Sequence, residues 1–221
     1  MTPLQKHVSF FDRNKDGVIY PKETYEGFRA IGFGVALSSV SSVLIHGFLS
    51  PKTNNGTIPA ILLPILVANI QKGKHGSDTG AYDTEGRLFV ALHYVLLNDL
   101  EEPVSYMQSD PDGLTRLCIV KHAHTNPNAL TSDELKEMLK ANQQPNNTQG
   151  WVASRTEWEI LFSLAKDKDG MLQKDTVRLV YDGSLFYKLE AERKALNESV
   201  NVRVEERILF KSVNFLREML F

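Results

Sequence analysis

Asp12-Arg13-Asn14-Lys15-Asp16-Gly17-Val18-Ile19-Tyr20-Pro21-Lys22-Glu23 is the stretch from which the rest of this chain is read. Side-chain oxygens fall at the first, third and fifth positions (Asp12, Asn14, Asp16), and Gly17 stands sixth, where the backbone must turn sharply. Val18 offers a main-chain carbonyl at the seventh position, and Glu23 closes the twelve residues as a bidentate carboxylate. A hard divalent cation takes about six to eight oxygens, and this spacing wraps them round one point, as in an EF-hand calcium loop. Tyr20 at the ninth position leaves water or a main-chain oxygen to complete the shell there. The flanks agree. Thr2, Pro3 and Gln5 make a capping box with proline in the first turn, and Leu4, Val8 and Phe11 follow as an apolar stripe. Residues 24–31 suit the exiting helix.

EF-hands pair through a short antiparallel bridge at the eighth position, so a partner is expected. Ala165-Lys166-Asp167-Lys168-Asp169-Gly170-Met171-Leu172 supplies one, with Leu172 opposite Ile19. Ala165 and Thr176 stand where the first and last ligands should be, so this second hand reads as degenerate. Its entering helix carries Trp158, Leu161, Phe162 and Ala165 on one face. That pairing would bring chain regions about 150 residues apart together, which favours one integrated domain over 1–221. Within it lie an EF-hand at 2–31, an apolar hairpin at 30–70 and the degenerate partner at 151–180.

No formal charge occurs from Ala30 to Pro51, and none from Thr53 to Gln71. On a helical wheel Ser38, Ser39, Ser42, His46 and Ser50 share one face, and Phe33, Leu37, Val40, Leu44 and Phe48 the other. An amphipathic helix with an uncharged polar side suits a lipid surface or a protein core better than a lone membrane span. Pro51, Pro59 and Pro64 are expected to turn the chain back between two apolar arms.

The 221 residues hold 25 Lys and Arg against 27 Asp and Glu, a net charge of −2, so no basic field favours nucleic acid. One cysteine, Cys118, excludes an internal disulfide framework and reads as a buried thiol. The first residues lack a signal-peptide core, so secretion is not expected. His122 and His124 could share a strand face as in some metal sites, but lack a third ligand in the sequence. Thr131-Ser132-Asp133-Glu134 is a second capping box, leading into Leu135, Met138 and Leu139. Val202 to Phe221 has helical apolar spacing that could close the core, dock on lipid or support a homo-oligomer.

In order along the chain, these pieces resemble the caleosin family of plant and fungal peroxygenases. The stretches that carry the likeness are Leu4 to Asp12, Asp16 to Tyr25, Lys74-His75-Gly76-Ser77-Asp78, Tyr82 to Arg87, Gly150 to Ser154, Glu157-Trp158 and Asp182-Gly183-Ser184-Leu185-Phe186. Residues 88–149 match less, and the family's compact proline cluster is here spread over Pro51, Pro59 and Pro64.

The resemblance implies a mainly α fold, with a paired EF-hand (one functional, one degenerate), an apolar helical hairpin and further helices. It implies calcium held by Asp12, Asn14, Asp16, Val18 and Glu23. It also implies non-covalent haem b, with His7 and His75 as ligands and catalytic groups, and Lys72 and Lys74 near enough to His75 to pair with propionates. The activity implied is oxygen transfer from fatty-acid hydroperoxides to unsaturated lipids, at the cytosolic face of a lipid droplet or the endoplasmic reticulum. Two strong imidazole ligands would leave iron no open position, so one histidine is expected as the proximal ligand and the other as an acid–base group. A non-catalytic calcium-responsive lipid-droplet protein, or a soluble calcium sensor, would fit the same calcium loop.

Overall fold

The computed structural model describes residues 1–56, 58–74, 82–87 and 121–200. His75, His93 in its apolar run, Cys118, the turn expected from Asp110-Pro111-Asp112-Gly113 and the tail from Val202 to Phe221 lie outside the described residues. The described part is mainly helical.

Helix α1 (Pro3–Ser9) begins on the expected box: the Thr2 hydroxyl accepts from Gln5 N, and the Gln5 side chain returns to Thr2 N. The acidic loop follows and runs into β1 (Val18–Ile19) and α2 (Pro21–Ile31). Gly32 ends α2 at φ +113°, a left-handed conformation that costs glycine little. Helix α3 (Val35–Thr53) comes next, then a short 3-10 turn (Ala60–Leu62), β2 (Ile65–Leu66) and a 3-10 segment (Val67–Gly73). After the undescribed stretch come β3 (Ala129–Leu130), α4 (Ser132–Ala141), α5 (Thr148–Ala165), β4 (Leu172–Gln173) and α6 (Lys174–Asp182). A last helix, α7, occupies residues 185–200.

The strand pairing corrects the expected one. Ile19 lies opposite Ile65 and Val18 opposite Leu66, so the acidic loop bridges to the uncharged hairpin. Leu172 instead faces Leu130, and Gln173 faces Ala129. The predicted partner loop therefore has its own neighbour, at 123–134. A two-residue bridge needs only an apolar residue on each side, so Ile65, Leu130 and Leu172 satisfy the pattern equally well.

Pro51 does not turn the chain: it sits in the last turn of α3, and the helix continues to Thr53. Phe33 also departs from expectation. It precedes α3 and is buried, stacked on Phe28 at 4.8 Å between ring centroids.

Three apolar clusters hold these elements. Leu130, Leu135, Met138, Trp158, Phe162 and Tyr181 are among the residues that fasten α4, α5, α6 and the β3–β4 bridge. Phe10, Phe28, Ile31 and Phe33 join the acidic-loop helices to Phe186 of α7. Ile19, Ile65, Val67 and Ile70 seat the first bridge under Leu4, Val8 and Phe11. Helix α1 also packs on α6, so residues more than 170 positions apart do meet, though by helix packing and not by the expected loop pairing. Gly183 makes that approach feasible: a Cβ there would stand 2.6 Å from His7 N and 2.9 Å from Lys6 Cβ.

Candidate functional site: the acidic loop, His7 and the uncharged hairpin

In the acidic loop each proposed ligand side chain is oriented by main-chain donors. Asp12 is 4% exposed; its Oδ1 accepts from Asp16 N at 3.2 Å and its Oδ2 from Gly17 N at 2.9 Å. Asp16 Oδ1 accepts from Val18 N at 2.8 Å, and Asn14 Oδ1 accepts from Asp16 N at 3.1 Å. Gly17 takes φ +85° with open space where a Cβ would be, so backbone conformation, not crowding, calls for glycine there. Glu23 reaches back across the loop: Oε1 accepts from Arg13 N at 3.1 Å and Asn14 N at 3.3 Å, and Oε2 from Tyr20 N at 2.9 Å. Among the described residues no three His, Cys, Asp or Glu side chains are gathered closely enough to hold a metal ion. A cation would therefore have to draw Asp12, Asp16 and Glu23 inward. The donor chemistry fits a hard cation, because each carboxylate offers about four lone-pair sites, more than these hydrogen bonds use.

A second loop repeats that stapling 111 residues later, and the sequence reading missed it. Glu134 Oε1 accepts from His124 N at 2.8 Å and Thr125 N at 2.6 Å, and Oε2 from Thr131 N at 2.7 Å. These positions match Arg13, Asn14, Tyr20 and Glu23 one for one (134 − 23, 124 − 13, 125 − 14 and 131 − 20 all give 111). Burial alone would raise the Glu134 pKa, but the N–H groups of Thr131 and Thr125 bring it down to about 2. Ala123, Pro127 and Asn128 replace Asp12, Asp16 and Gly17, so the second loop keeps the staple and lacks the ligands. Its one sequence signal was the Thr131–Glu134 capping box, which reads equally as a plain helix start. His122 and His124 do not share a strand face. Both reach Glu137 Oε1, at 3.3 and 3.4 Å.

His7 stands in the last turn of α1. Its Nδ1 is 3.2 Å from Val180 O, and its ring lies 4.8 Å from the Phe186 ring. A carbonyl only accepts, so Nδ1 carries the hydrogen and Nε2 keeps its lone pair. Burial pushes the His7 pKa down, with the Val180 hydrogen bond opposing it. Tyr82 joins the same turn of α6, its hydroxyl donating to Tyr181 O at 3.1 Å and reaching Val180 O at 3.5 Å. The Lys74 ammonium donates to the carbonyls of Tyr82 and Asp83, so its head group is already engaged on main chain. An imidazole whose Nδ1 is tied to a carbonyl in this way keeps on Nε2 the lone pair that a metal ion takes from histidine. A shallow cleft of about 190 Å³ between α4 and α5, lined by Lys136, Leu139, Lys140, Gln143, Trp151 and Arg155, shares no residue with the His7 surroundings.

The polar face of α3 turns inward and the apolar face outward. Ser38, Ser42, His46, Ser50 and Thr53 are buried, whereas Val35, Leu37, Val40, Val43 and Leu44 are exposed, Leu44 by 66%. Ile61 and Leu62 extend this apolar surface at 87% and 48% exposure. Burying the polar side is tolerable because most of it is bonded. His46 Nε2 is 2.7 Å from Thr24 Oγ1, and Nδ1 is 2.6 Å from Leu63 O. Thr53 Oγ1 donates to Leu49 O and accepts from Leu66 N, and Ser42 donates to Ser39 O. Ser38 Oγ is buried without a partner among the described residues. No described helix is long and apolar enough to cross a membrane.

These features define a class: a mainly helical protein built round an EF-hand-type acidic loop, with an uncharged hairpin that turns its apolar side outward. The chain matches the family model described as Caleosin related protein over residues 1–97 and 117–190, and it belongs to the caleosin family. "Probable peroxygenase 4" of Arabidopsis thaliana is 52% identical over 192 residues, 87% of this chain and 87% of that protein. "Peroxygenase" of Lilium longiflorum is 43% identical over 200 residues, 90% of this chain and 74% of that protein. "Probable inactive peroxygenase-like protein" of Arabidopsis thaliana is 34% identical over 177 residues, 80% of this chain and 74% of that protein. No solved structure matches the chain.

Proposed function

We propose that this chain is a calcium-binding haem peroxygenase that works at a lipid surface, transferring one oxygen from a fatty-acid hydroperoxide to an unsaturated lipid. The observation that carries the reading is His7, on the helix that feeds the acidic loop: Nδ1 donates to Val180 O, so the lone pair stays on Nε2. The names of the relatives at 52% and 43% identity support the activity. Haem, when bound, supplies the redox chemistry of oxygen transfer. The protein's part is positional. Val180 fixes the tautomer of His7, Phe186 restricts its ring, and Gly183 lets α1 lie against the end of α6. His75 is proposed as the second haem-site histidine, a proton carrier on the peroxide side.

Calcium is assigned to Asp12, Asn14, Asp16, Val18 and Glu23. The outward apolar face of α3 with Ile61 and Leu62 is assigned to the surface of a lipid droplet or of the endoplasmic reticulum, on its cytosolic side. The whole chain is read as one domain, with α1 against α6 as its clasp.

Product analysis tests the activity. Hemin-loaded protein given linoleic acid hydroperoxide and oleic acid should yield the alcohol and an epoxide in equal amounts. Hydroperoxide consumed without epoxide would refute the peroxygenase reading. A non-catalytic lipid-associated role is the second reading, favoured by the outward apolar face and by the relative named inactive; that role needs the face but not His7.

A further inference from the structure

The acidic loop and the uncharged hairpin are joined at two places. One is the β1–β2 bridge, which Val67 N extends by donating to Gly17 O at 3.0 Å. The other is His46, fully buried, with Nε2 2.7 Å from Thr24 Oγ1 and Nδ1 2.6 Å from Leu63 O. Because Leu63 O can only accept, Nδ1 donates to it and Nε2 accepts the Thr24 hydroxyl hydrogen. Thr24 directly follows Glu23, the residue that closes the acidic loop. Leu63, at φ +49°, is a non-glycine residue in the left-handed region, between the exposed Ala60–Leu62 turn and β2. One imidazole thus spans from the residue beside the last cation ligand to the foot of the exposed apolar tip.

We infer that His46 is a positioning residue through which cation binding in the acidic loop and lipid docking of the α3 hairpin are thermodynamically linked. The inference rests on the reading above that each of these two sites takes its ligand. Its physical basis is the present engagement of Glu23, whose carboxylate holds three main-chain N–H groups across the loop. Capture of a cation by Glu23 would redirect those oxygens, and Thr24 in the same first turn of α2 would move with them. His46 carries that shift to Leu63, while β1 carries it to β2. A ligand shifts an equilibrium only by its differential affinity for two states, and the linkage it creates is reciprocal. A bound cation would hold the first turn of α2 and, through His46 and Leu63, would favour the arrangement seen here, with the serine face buried and Ile61 and Leu62 exposed. Both ligands then favour one state.

The test uses the full chain with calcium and phosphatidylcholine vesicles. Flotation with calcium against chelator should show vesicle binding tighter by about fivefold or more, and vesicles should tighten calcium binding by the same factor. His46→Gln and Thr24→Val should still bind each ligand, with the coupling factor cut to less than half, the β1–β2 bridge carrying what remains. Thr24→Val is the check on folding, since it keeps the buried imidazole and removes only the hydroxyl. Equal vesicle affinity with and without calcium in the wild type, both ligands binding, overturns the linkage. Undiminished coupling in both variants overturns the assignment to His46. If one ligand fails to bind on its own, the underlying reading of that site falls, and the inference with it; that result is recognised by the silence of a single titration.

Discussion

Glu23 and Glu134 do the same mechanical work with different chemical surroundings. Each staples three main-chain N–H groups, but only Glu23 has Asp12, Asn14 and Asp16 beside it. Glu23→Gln should therefore weaken calcium binding roughly tenfold or more by calorimetry, since the loop's affinity follows its ligand charge. Glu134→Ala should leave calcium affinity unchanged and cost roughly 2–3 kcal/mol in urea unfolding, because charge-assisted hydrogen bonds are lost. The pH dependence has two parts. Glu134, brought from 4.5 to about 2 by its N–H donors against the opposing effect of burial, stabilises the fold above pH 4.5, and that is lost as pH falls toward 2. His46 is held neutral by burial, with the Leu63 hydrogen bond opposing the shift. Below its ordinary value of 6.5 the unfolded chain binds a proton that the folded chain refuses, so stability declines as pH falls through that range. Melting curves should show a lower midpoint at pH 5 than at pH 7, with a smaller drop in His46→Gln. At this scale the turn at 12–23 was legible, because its oxygens sit on side chains and leave a pattern. The loop at 123–134 was not, because main-chain donors leave no pattern and its Thr131–Glu134 box reads equally as a plain helix start.

For α3, the sequence showed two faces but not which one points inward. The usual rule sends apolar residues in, and here buried partners such as Thr24 Oγ1, Leu63 O and Leu66 N reverse it. Pro51 was misjudged for a related reason: within the last turn a missing N–H costs one hydrogen bond without stopping the helix. The exposed position Leu44 makes the cleaner probe of the outward face. Leu44→Asp should change stability by less than about 0.5 kcal/mol and abolish flotation with vesicles. Phe33→Asp, by contrast, would place a charge against the buried Phe28 ring and unfold the region. Gly183 tests the joint between α1 and α6. At φ +80°, with His7 N in the way of any Cβ, Gly183→Ala should cost about 1–3 kcal/mol and loosen hemin binding along with α1.

Across the whole molecule, helix content and the approach of distant segments were legible, and the partner of each bridge was not. Leu172 and Ile65 look alike as candidates opposite Ile19, and only tertiary packing decides for Ile65. The result places the acidic loop against the uncharged hairpin, and His7, in the last turn of α1, against α6. The central claim is that this arrangement offers His7 as a haem ligand. Hemin titration of the purified protein, followed by its Soret absorption, tests it most directly. Saturable binding of one hemin per chain is predicted, weakened at least tenfold in His7→Ala with the folded state retained by circular dichroism. A spectrum like that of unbound hemin, or one that His7→Ala leaves unchanged, would contradict it.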